Sequence, residues 1–332
     1  MNNTPYEWKS TISPYLKGFI DERHLGGFRF RVQERWIKQF DRYCSEKGIR
    51  VEHLNKNLSE EFCRKNRNES TMIYQQRLCL MRQFMAYLLK NGYDVELPPT
   101  LGKTFSYPRH NPYIFTEREL KEIFTQIDNW RWTSQSRGYR KQMDPLLFRM
   151  IYGCGLRIME ALHLKVADIN MEDGYLCIRD SKNGRNRIVP MTESLVSRCN
   201  TYSKQMHALS SPDNYYFPGA IPGSHSSDSS TYHRFREYLW KAGIPHTGHG
   251  PRIHDLRHTF CVHRFKKWVL SGSELTNLMP YLSAYLGHAD FRGTEYYLKL
   301  TADLYPEIIA RLEYSHGYII PERGDGNNEE RI

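Results

Sequence analysis

The sequence predicts a mainly helical protein with one β-hairpin, divided into two domains near residue 105. Three observations carry this. Apolar residues recur at helical spacing through residues 11–92 and again from residue 116 onward. One stretch, GYLCIRDSKNGRNRIVPM at 174–191, alternates instead and contains the turn-forming NGR. Between the two helical regions lies ELPPTLGKTFSYPRHNPYIF at 96–115, with prolines at 98, 99, 108 and 112 and little periodicity, the mark of an extended linker.

The 332 residues suffice for two domains, and 39% hydrophobic content with a mixed charged remainder is a soluble globular composition. No apolar run approaches the ~20 residues of a membrane span. The opening MNNTPYEWKS lacks the basic-then-apolar order of a secretion signal. The seven cysteines are odd in number and form no CxxC, which argues against a disulfide framework or a cysteine-rich zinc site and makes a reducing cytoplasm the expected compartment. A net charge of +10 favours polyanion partners, nucleic acid first. Residues 1–100 carry 17 Lys and Arg against 12 Asp and Glu, so the excess is denser in the N-terminal third.

In that third, Trp36, Phe40 and Tyr43 share a helical stripe, as do Ile73, Leu80, Phe84 and Leu88, with Gly92 as a stop. The basic residues Arg31, Arg35, Lys38 and Arg42, and Arg64, Lys65 and Arg67 of CRKNRNES, are candidates for a phosphate-tracking surface; the bland alternative is a solvated face.

Beyond the linker, TERE at 116–119 is a capping box, and Leu120, Ile123, Phe124 and Ile127 follow on one face. After DPLLFRMIYGCGL a glycine break leads into RIMEALHLKVADI. The hairpin comes next, then a Ser/Pro/Gly/Asp-rich loop over 209–230. Helices are predicted over 231–242, through HDLRHTFCVHRFKKWVL, through ELTNLMPYLSAYLG to Gly287, and over 303–313. The end, residues 316–332, reads as a polar tail.

Four segments carry chemistry. Arg157 follows a glycine turn, so it sits at a helix start, and Glu160 is three residues on, placed to hold its guanidinium. Lys182 lies at the hairpin turn. His254 and Arg257 of HDLRH are three apart on one helix face, a good anion site. His288 follows Gly287, and Tyr297 lies nine residues further. His254 and His258, with His246 and His249 upstream, admit a metal reading, but the Glu of HExxH is missing and Arg257 would set a cation beside the ion, so no metal or other cofactor is expected. Taken together, the set offers cations, proton donors and one hydroxyl nucleophile, with no carboxylate cluster for Mg²⁺. That suits metal-free phosphoryl transfer on a phosphodiester.

The same segments resemble the tyrosine recombinases, the phage-integrase family. GLRIMEALHLKVADI is similar to the first arginine motif, SKNGRNRIVPM to the hairpin lysine motif, HDLRHTF to the His-x-x-Arg motif, and LGHADFRGTEYYLKLT to the final His-to-Tyr segment. The resemblance covers roughly residues 112–312. It departs from the family at Lys299, where a histidine is frequent, and in the longer GSELTNLMPYLSAYLGH segment.

The resemblance implies a helical core-binding domain over 1–104 and a catalytic domain over 105–315, mainly α with a small antiparallel sheet, closing as a clamp on double-stranded DNA. It implies Tyr297 as nucleophile with Thr294 supporting it, Tyr296 as a packing neighbour, Arg157 and Arg257 on the phosphate, Lys182 protonating the leaving 5′-oxygen, His254 taking the tyrosine proton and His288 hydrogen-bonding the phosphate. The implied activity is site-specific recombination of a mobile element by a homotetramer on two DNA sites, with helper recombination proteins, in the nucleoid of a bacterial or phage-type system. A type IB topoisomerase activity and a catalytically silent DNA-binding regulator are the rival readings.

Overall fold

Helices α1 (Ser13–Leu25), α2 (Arg31–Glu46), α3 (Lys56–Phe62) and α4 (Thr71–Lys90) form the first of two compact units, Met1–Arg109 and His110–Ile332. The computed structural model describes residues 6–28, 30–67, 69–100, 111–130, 139–179, 186–246, 250–288 and 292–305.

The first unit closes on an aromatic core. Phe19, Phe40 and Phe84 are fully buried, with Phe84 meeting the rings of Phe19 and Phe40 at 5.5 and 6.2 Å. The predicted stripe holds at Phe40, Leu80, Phe84 and Leu88, and Trp36 and Tyr43 lie half-buried against it. Ile73 departs from it and is exposed, because it sits in the first turn of α4, ahead of the buried run that begins at Leu78. Gly92, at φ 87°, ends the segment in a conformation that favours glycine. Asn55 and Ser70 cap α3 and α4 through their side-chain oxygens. The N-terminal approach is fastened by the buried carboxylate of Asp41, which accepts from the Lys9 amide at 2.9 Å and from the Ser10 and Ser13 hydroxyls at 2.6 and 2.8 Å.

The second unit holds α5 (Glu117–Asp128), α6 (Arg140–Gly153), α7 (Ile158–Leu162), α8 (Glu193–Met206), α9 (Asp228–Lys241), α10 (Ile253–Leu270), α11 (Leu275–Leu286) and α12 (Arg292–Leu304). The predicted capping box closes α5: the Glu119 amide donates to Thr116 Oγ1 at 3.2 Å and the Thr116 amide to Glu119 Oε2 at 2.8 Å. Leu120, Ile123 and Ile127 are buried, and Phe124 packs half-buried beside them.

The predicted hairpin strands are β2 (Tyr175–Ile178) and β3 (Arg187–Pro190), paired antiparallel with Leu176 opposite Val189. A two-residue strand β1 (Ile169–Asn170), too short to show alternation, adds a third member in the order β1-β2-β3. Leu176, Ile178 and Val189 are buried on one face, while Ile188 points to solvent. Lys182 lies outside the described residues, as does the 316–332 tail. The helix expected over 303–313 does not begin there: α12 runs on to Leu304, and residues 306–313 lie outside the described residues.

One buried ion pair joins α6 to α9. Asp144 accepts from Arg234 Nε at 2.7 Å and Nη2 at 3.0 Å, and from the Tyr238 hydroxyl at 2.6 Å. All seven cysteines are free thiols; Cys44, Cys63, Cys154, Cys199 and Cys261 are buried, Cys177 is half-buried and Cys79 is exposed. Among the described residues no helix is long and apolar enough to cross a membrane.

Candidate active site

The site begins at a turn that only glycine fits. Gly155 follows α6 at φ 58°, and a Cβ there would meet the Phe260 ring at 2.6 Å. Two residues later Arg157 is the N-cap of α7, as the sequence placed it. Glu160, in the first turn, accepts from the Arg157 amide at 2.9 Å and from Arg157 Nη1 at 2.7 Å.

Glu160 is a hub for more than Arg157. Arg187, the first residue of β3, grips both carboxylate oxygens, Nη1 to Oε1 at 3.0 Å and Nη2 to Oε2 at 2.8 Å. Arg257 Nη1 is 3.8 Å from Oε2. Burial alone would raise the Glu160 carboxyl. The hydrogen bonds and charge of Arg187, the Arg157 amide and the Arg257 charge outweigh it and hold the group down to about 2.

Arg257 lies on α10 and is 1% exposed. It donates to two main-chain carbonyls, Nη1 to Gly155 at 2.7 Å and Nη2 to Leu286 at 2.8 Å. The first closes on the turn that aims Arg157, the second on the end of α11. Nη2 also reaches His288 Nε2 at 3.3 Å. Burial, reinforced by the Arg157 charge, lowers the pKa of this guanidinium.

Gly287 caps α11 at φ 64° and turns the chain so that His288 faces inward. His288 Nδ1 is 2.9 Å from Thr294 Oγ1. With Arg257 donating to Nε2, the network assigns the ring proton to Nδ1, which donates to Thr294. The His288 ring lies nearly parallel to that of Tyr297, centroids 6.0 Å apart. Tyr297, on α12, is 3% exposed, and the His258 ring lies tilted against it at 5.4 Å. Burial raises the pKa of this phenol, as does neighbouring Cys261, against the opposing charge and hydrogen bond of Arg257. Tyr296 is half-buried, packed against the same cluster.

The structure thus brings Arg157, Glu160, Arg257, His288, Thr294 and Tyr297 together. His254, three residues before buried Arg257 on α10, is exposed, with its ring edge on His258 at 4.7 Å. His258, one turn along, stands between His254 and Tyr297. Among the described residues no group of three or more His, Cys, Asp or Glu could hold a metal ion.

Arg187 has no place among the candidates from the sequence, and His258 stands there only as a possible metal ligand. For Arg187 a signal existed: in β3 it shares a face with Val189, the residue paired with buried Leu176, so its side chain starts inward.

The basic candidates of the first unit fall in two groups, one along α2 and one between α3 and α4. Arg31 opens α2; Arg35 and Arg42 on that helix are exposed, and Lys38 is half-buried near Glu34 at 3.5 Å. Lys38 and Arg42 both lie 5.6 Å from the Tyr6 ring centre. Arg64, Lys65 and Arg67 are exposed between α3 and α4, with Lys65 donating to Thr71 at 3.0 Å.

The phage integrase family model matches residues 114–303, more than half of the chain, a span that holds every residue of this site. A putative integrase/recombinase, y4rB of Sinorhizobium fredii, is 26% identical over 313 residues, 92% of this chain and 98% of that protein. Tyrosine recombinase XerA of Pyrococcus furiosus is 28% identical over 204 residues, 61% of this chain and 63% of that protein. Two solved structures share the fold. The Tn1549 transposon integrase in complex with transposon right-end DNA matches at a TM-score of 0.59 with 13% identity, over 85% of this chain and 94% of that one. The XerH site-specific recombinase bound to its difH substrate matches at 0.58 with 19% identity, over 86% of this chain and 80% of that one. The chain therefore belongs to the phage integrase family, the tyrosine recombinases, enzymes that transfer DNA strands.

Proposed function

We propose that this protein is a site-specific recombinase that cuts and rejoins duplex DNA through a 3′-phosphotyrosine at Tyr297, in the integration or excision of a mobile element. The observation that carries the reading is the chain of contacts from one guanidinium to one phenol: Arg257 donates to His288, and His288 stacks on Tyr297. A phosphodiester set beside Arg257 would meet a hydroxyl nucleophile within the same cluster.

In the proposed step the Tyr297 oxygen bonds to phosphorus and the bond from phosphorus to the 5′-oxygen breaks. The phenol proton passes to His254 by way of the His258 ring that separates them, and Lys182 supplies the proton to the 5′-oxygen. Arg157 and Arg257 balance the charge that spreads over the nonbridging oxygens, and His288 hydrogen-bonds one of them. Glu160 and Thr294 hold Arg157 and His288 in place. The phosphotyrosine ester conserves the energy of the broken bond, so a second DNA hydroxyl can reverse the step without ATP.

Residues 1–104 act as the DNA-binding domain, with Arg31, Arg35, Lys38, Arg42, Arg64, Lys65 and Arg67 as phosphate contacts, and residues 105–315 as the catalytic domain. Four copies assemble on two DNA sites, with helper proteins setting direction, in the cytoplasm. Integrases and recombinases named among the relatives, and two proteins of the same fold solved with DNA, support this reading.

The test is covalent trapping on duplexes taken from the ends of the element that carries the gene. The wild-type chain should give a protein–DNA adduct stable to denaturant. Tyr297→Phe should bind DNA and give none, and Tyr296→Phe should keep it. Binding without an adduct in the wild type points to a silent regulator. Relaxation of a supercoiled plasmid that lacks the site points to a topoisomerase.

A further inference from the structure

Arg187 has no part in the chemistry above, yet its side chain is 8% exposed and every donor group of its guanidinium is engaged within the site. Two nitrogens grip Glu160, and Nε donates to the Tyr285 carbonyl at 2.8 Å, in the last turn of α11. Glu160 is the carboxylate that holds Arg157. The next carbonyl along, Leu286, receives Arg257 Nη2 at 2.8 Å and lies 3.5 Å from Arg157 Nη1. The guanidinium also packs under the turn that delivers His288: a Cβ at Gly287 would stand 3.0 Å from Arg187 Nη1.

We infer that Arg187 is a positioning residue for strand cleavage, one that fixes both phosphate-binding arginines and the His288 turn by clamping Glu160 to the end of α11. Two effects follow from its place. The first is geometric: one planar fork sets the distance between the start of α7 and the end of α11, and a lysine cannot reproduce a fork. The second is electrostatic. Three guanidiniums around one carboxylate leave a net positive site, and because Arg187 occupies both carboxylate oxygens, Arg157 and Arg257 keep donors for an incoming phosphate. Without Arg187 the Glu160 charge would be balanced by those two arginines alone, drawing them off the phosphate.

This inference rests on cleavage by Tyr297, and its test separates the two. Single-turnover adduct formation and DNA affinity are measured for wild type, Arg187→Gln, Arg187→Lys and the double variant Glu160→Gln/Arg187→Gln, with thermal unfolding as a check on folding. Arg187→Gln should slow adduct formation on the order of 10²-fold with DNA affinity unchanged, the scale expected when reacting groups are misplaced by about an ångström. Arg187→Lys, which keeps the charge and loses the fork, should fall between, and it stands in for Arg187→Gln if that variant fails to fold. The double variant should recover part of the loss, because the unbalanced carboxylate is gone. Wild-type rates in Arg187→Gln overturn the inference, as does a double variant slower than Arg187→Gln, the result for a residue that merely packs. If the wild type itself forms no adduct, the recombinase reading fails, and Arg187 is judged in the DNA-free chain by side-chain arginine NMR. There Arg187→Gln should hasten guanidinium proton exchange at Arg157 and Arg257, and unchanged exchange overturns the inference.

Discussion

The ring of His288 lies 14° from parallel with the ring of Tyr297, centroids 6.0 Å apart, so the candidate nucleophile is stored beside the imidazole that Arg257 addresses. With 3% of the residue exposed, the hydroxyl has to leave this stack, or be uncovered within it, before it meets DNA. The stack also has a pH signature.

Tyr297 titrates above its ordinary value of 10 because burial disfavours the phenolate. The sign follows from linkage. The folded chain holds this proton more tightly than the unfolded chain does, so the stabilisation is complete below pH 10 and is lost as pH rises from there through the folded value. Other buried tyrosines contribute the same slope, so the difference between wild type and Tyr297→Phe isolates this one. Urea unfolding at neutral pH and again above pH 10 should show Tyr297→Phe losing less stability than wild type. Parallel declines would mean that the phenol is not sequestered in solution.

Arg257→Lys should fold and bind DNA yet cleave ~10²–10³-fold more slowly, the usual loss when a transition-state donor is removed. A lysine has neither the span to reach the Gly155 and Leu286 carbonyls together nor a planar face to offer phosphate. Single-turnover trapping reads the effect directly, and a near-normal rate would confine Arg257 to holding the fold.

Lys182 is proposed to act on the leaving group, and a substrate with sulfur at the 5′-bridging position tests that, because a thiolate departs without a proton. Lys182→Ala should be slow on ordinary DNA and largely restored on the sulfur substrate. Arg257→Ala should not be restored to the same degree. Equal defects for Lys182→Ala on both substrates would leave Lys182 as a backbone contact.

Gly287→Ala tests the turn that presents His288. At φ 64° a side chain costs roughly 1–2 kcal/mol, and the added methyl would press on the Arg187 guanidinium. The expected outcome is a modest fall in melting temperature together with slowed cleavage. A cleavage rate equal to wild type, despite the lost stability, would detach the turn from catalysis.

Most of the helical framework could be read from the sequence because its signals are local. Thr116 and Glu119 announce a helix start within four residues, Gly287 announces an end, and the alternation of Leu176 and Ile178 against Val189 gives the strands and their inward face. Arg157 with Glu160 was legible for the same reason, since three residues on a helix start are neighbours in space. What escaped was set by packing across the chain. That Arg257 is buried while His254 is exposed depends on where α10 meets α11 and α12, which spacing within one helix does not express. Ile73 fits the stripe of α4 by spacing but precedes the turns that reach the core. Arg187 and Glu160 are 27 residues apart in sequence, a pairing that no spacing rule expresses.

The distribution of thiols makes the chain its own labelling scaffold. Five cysteines are buried, Cys79 on α4 is open to solvent, and Cys177 on β2 is partly so. A maleimide dye under limiting conditions should reach Cys79 first and Cys177 second, one in each unit, with the native fold intact and no cysteine engineered in. Donor and acceptor fluorophores installed in that order would report, by energy transfer, the distance between the two labelled sites with and without DNA, on the same molecules whose Tyr297 adduct is being counted.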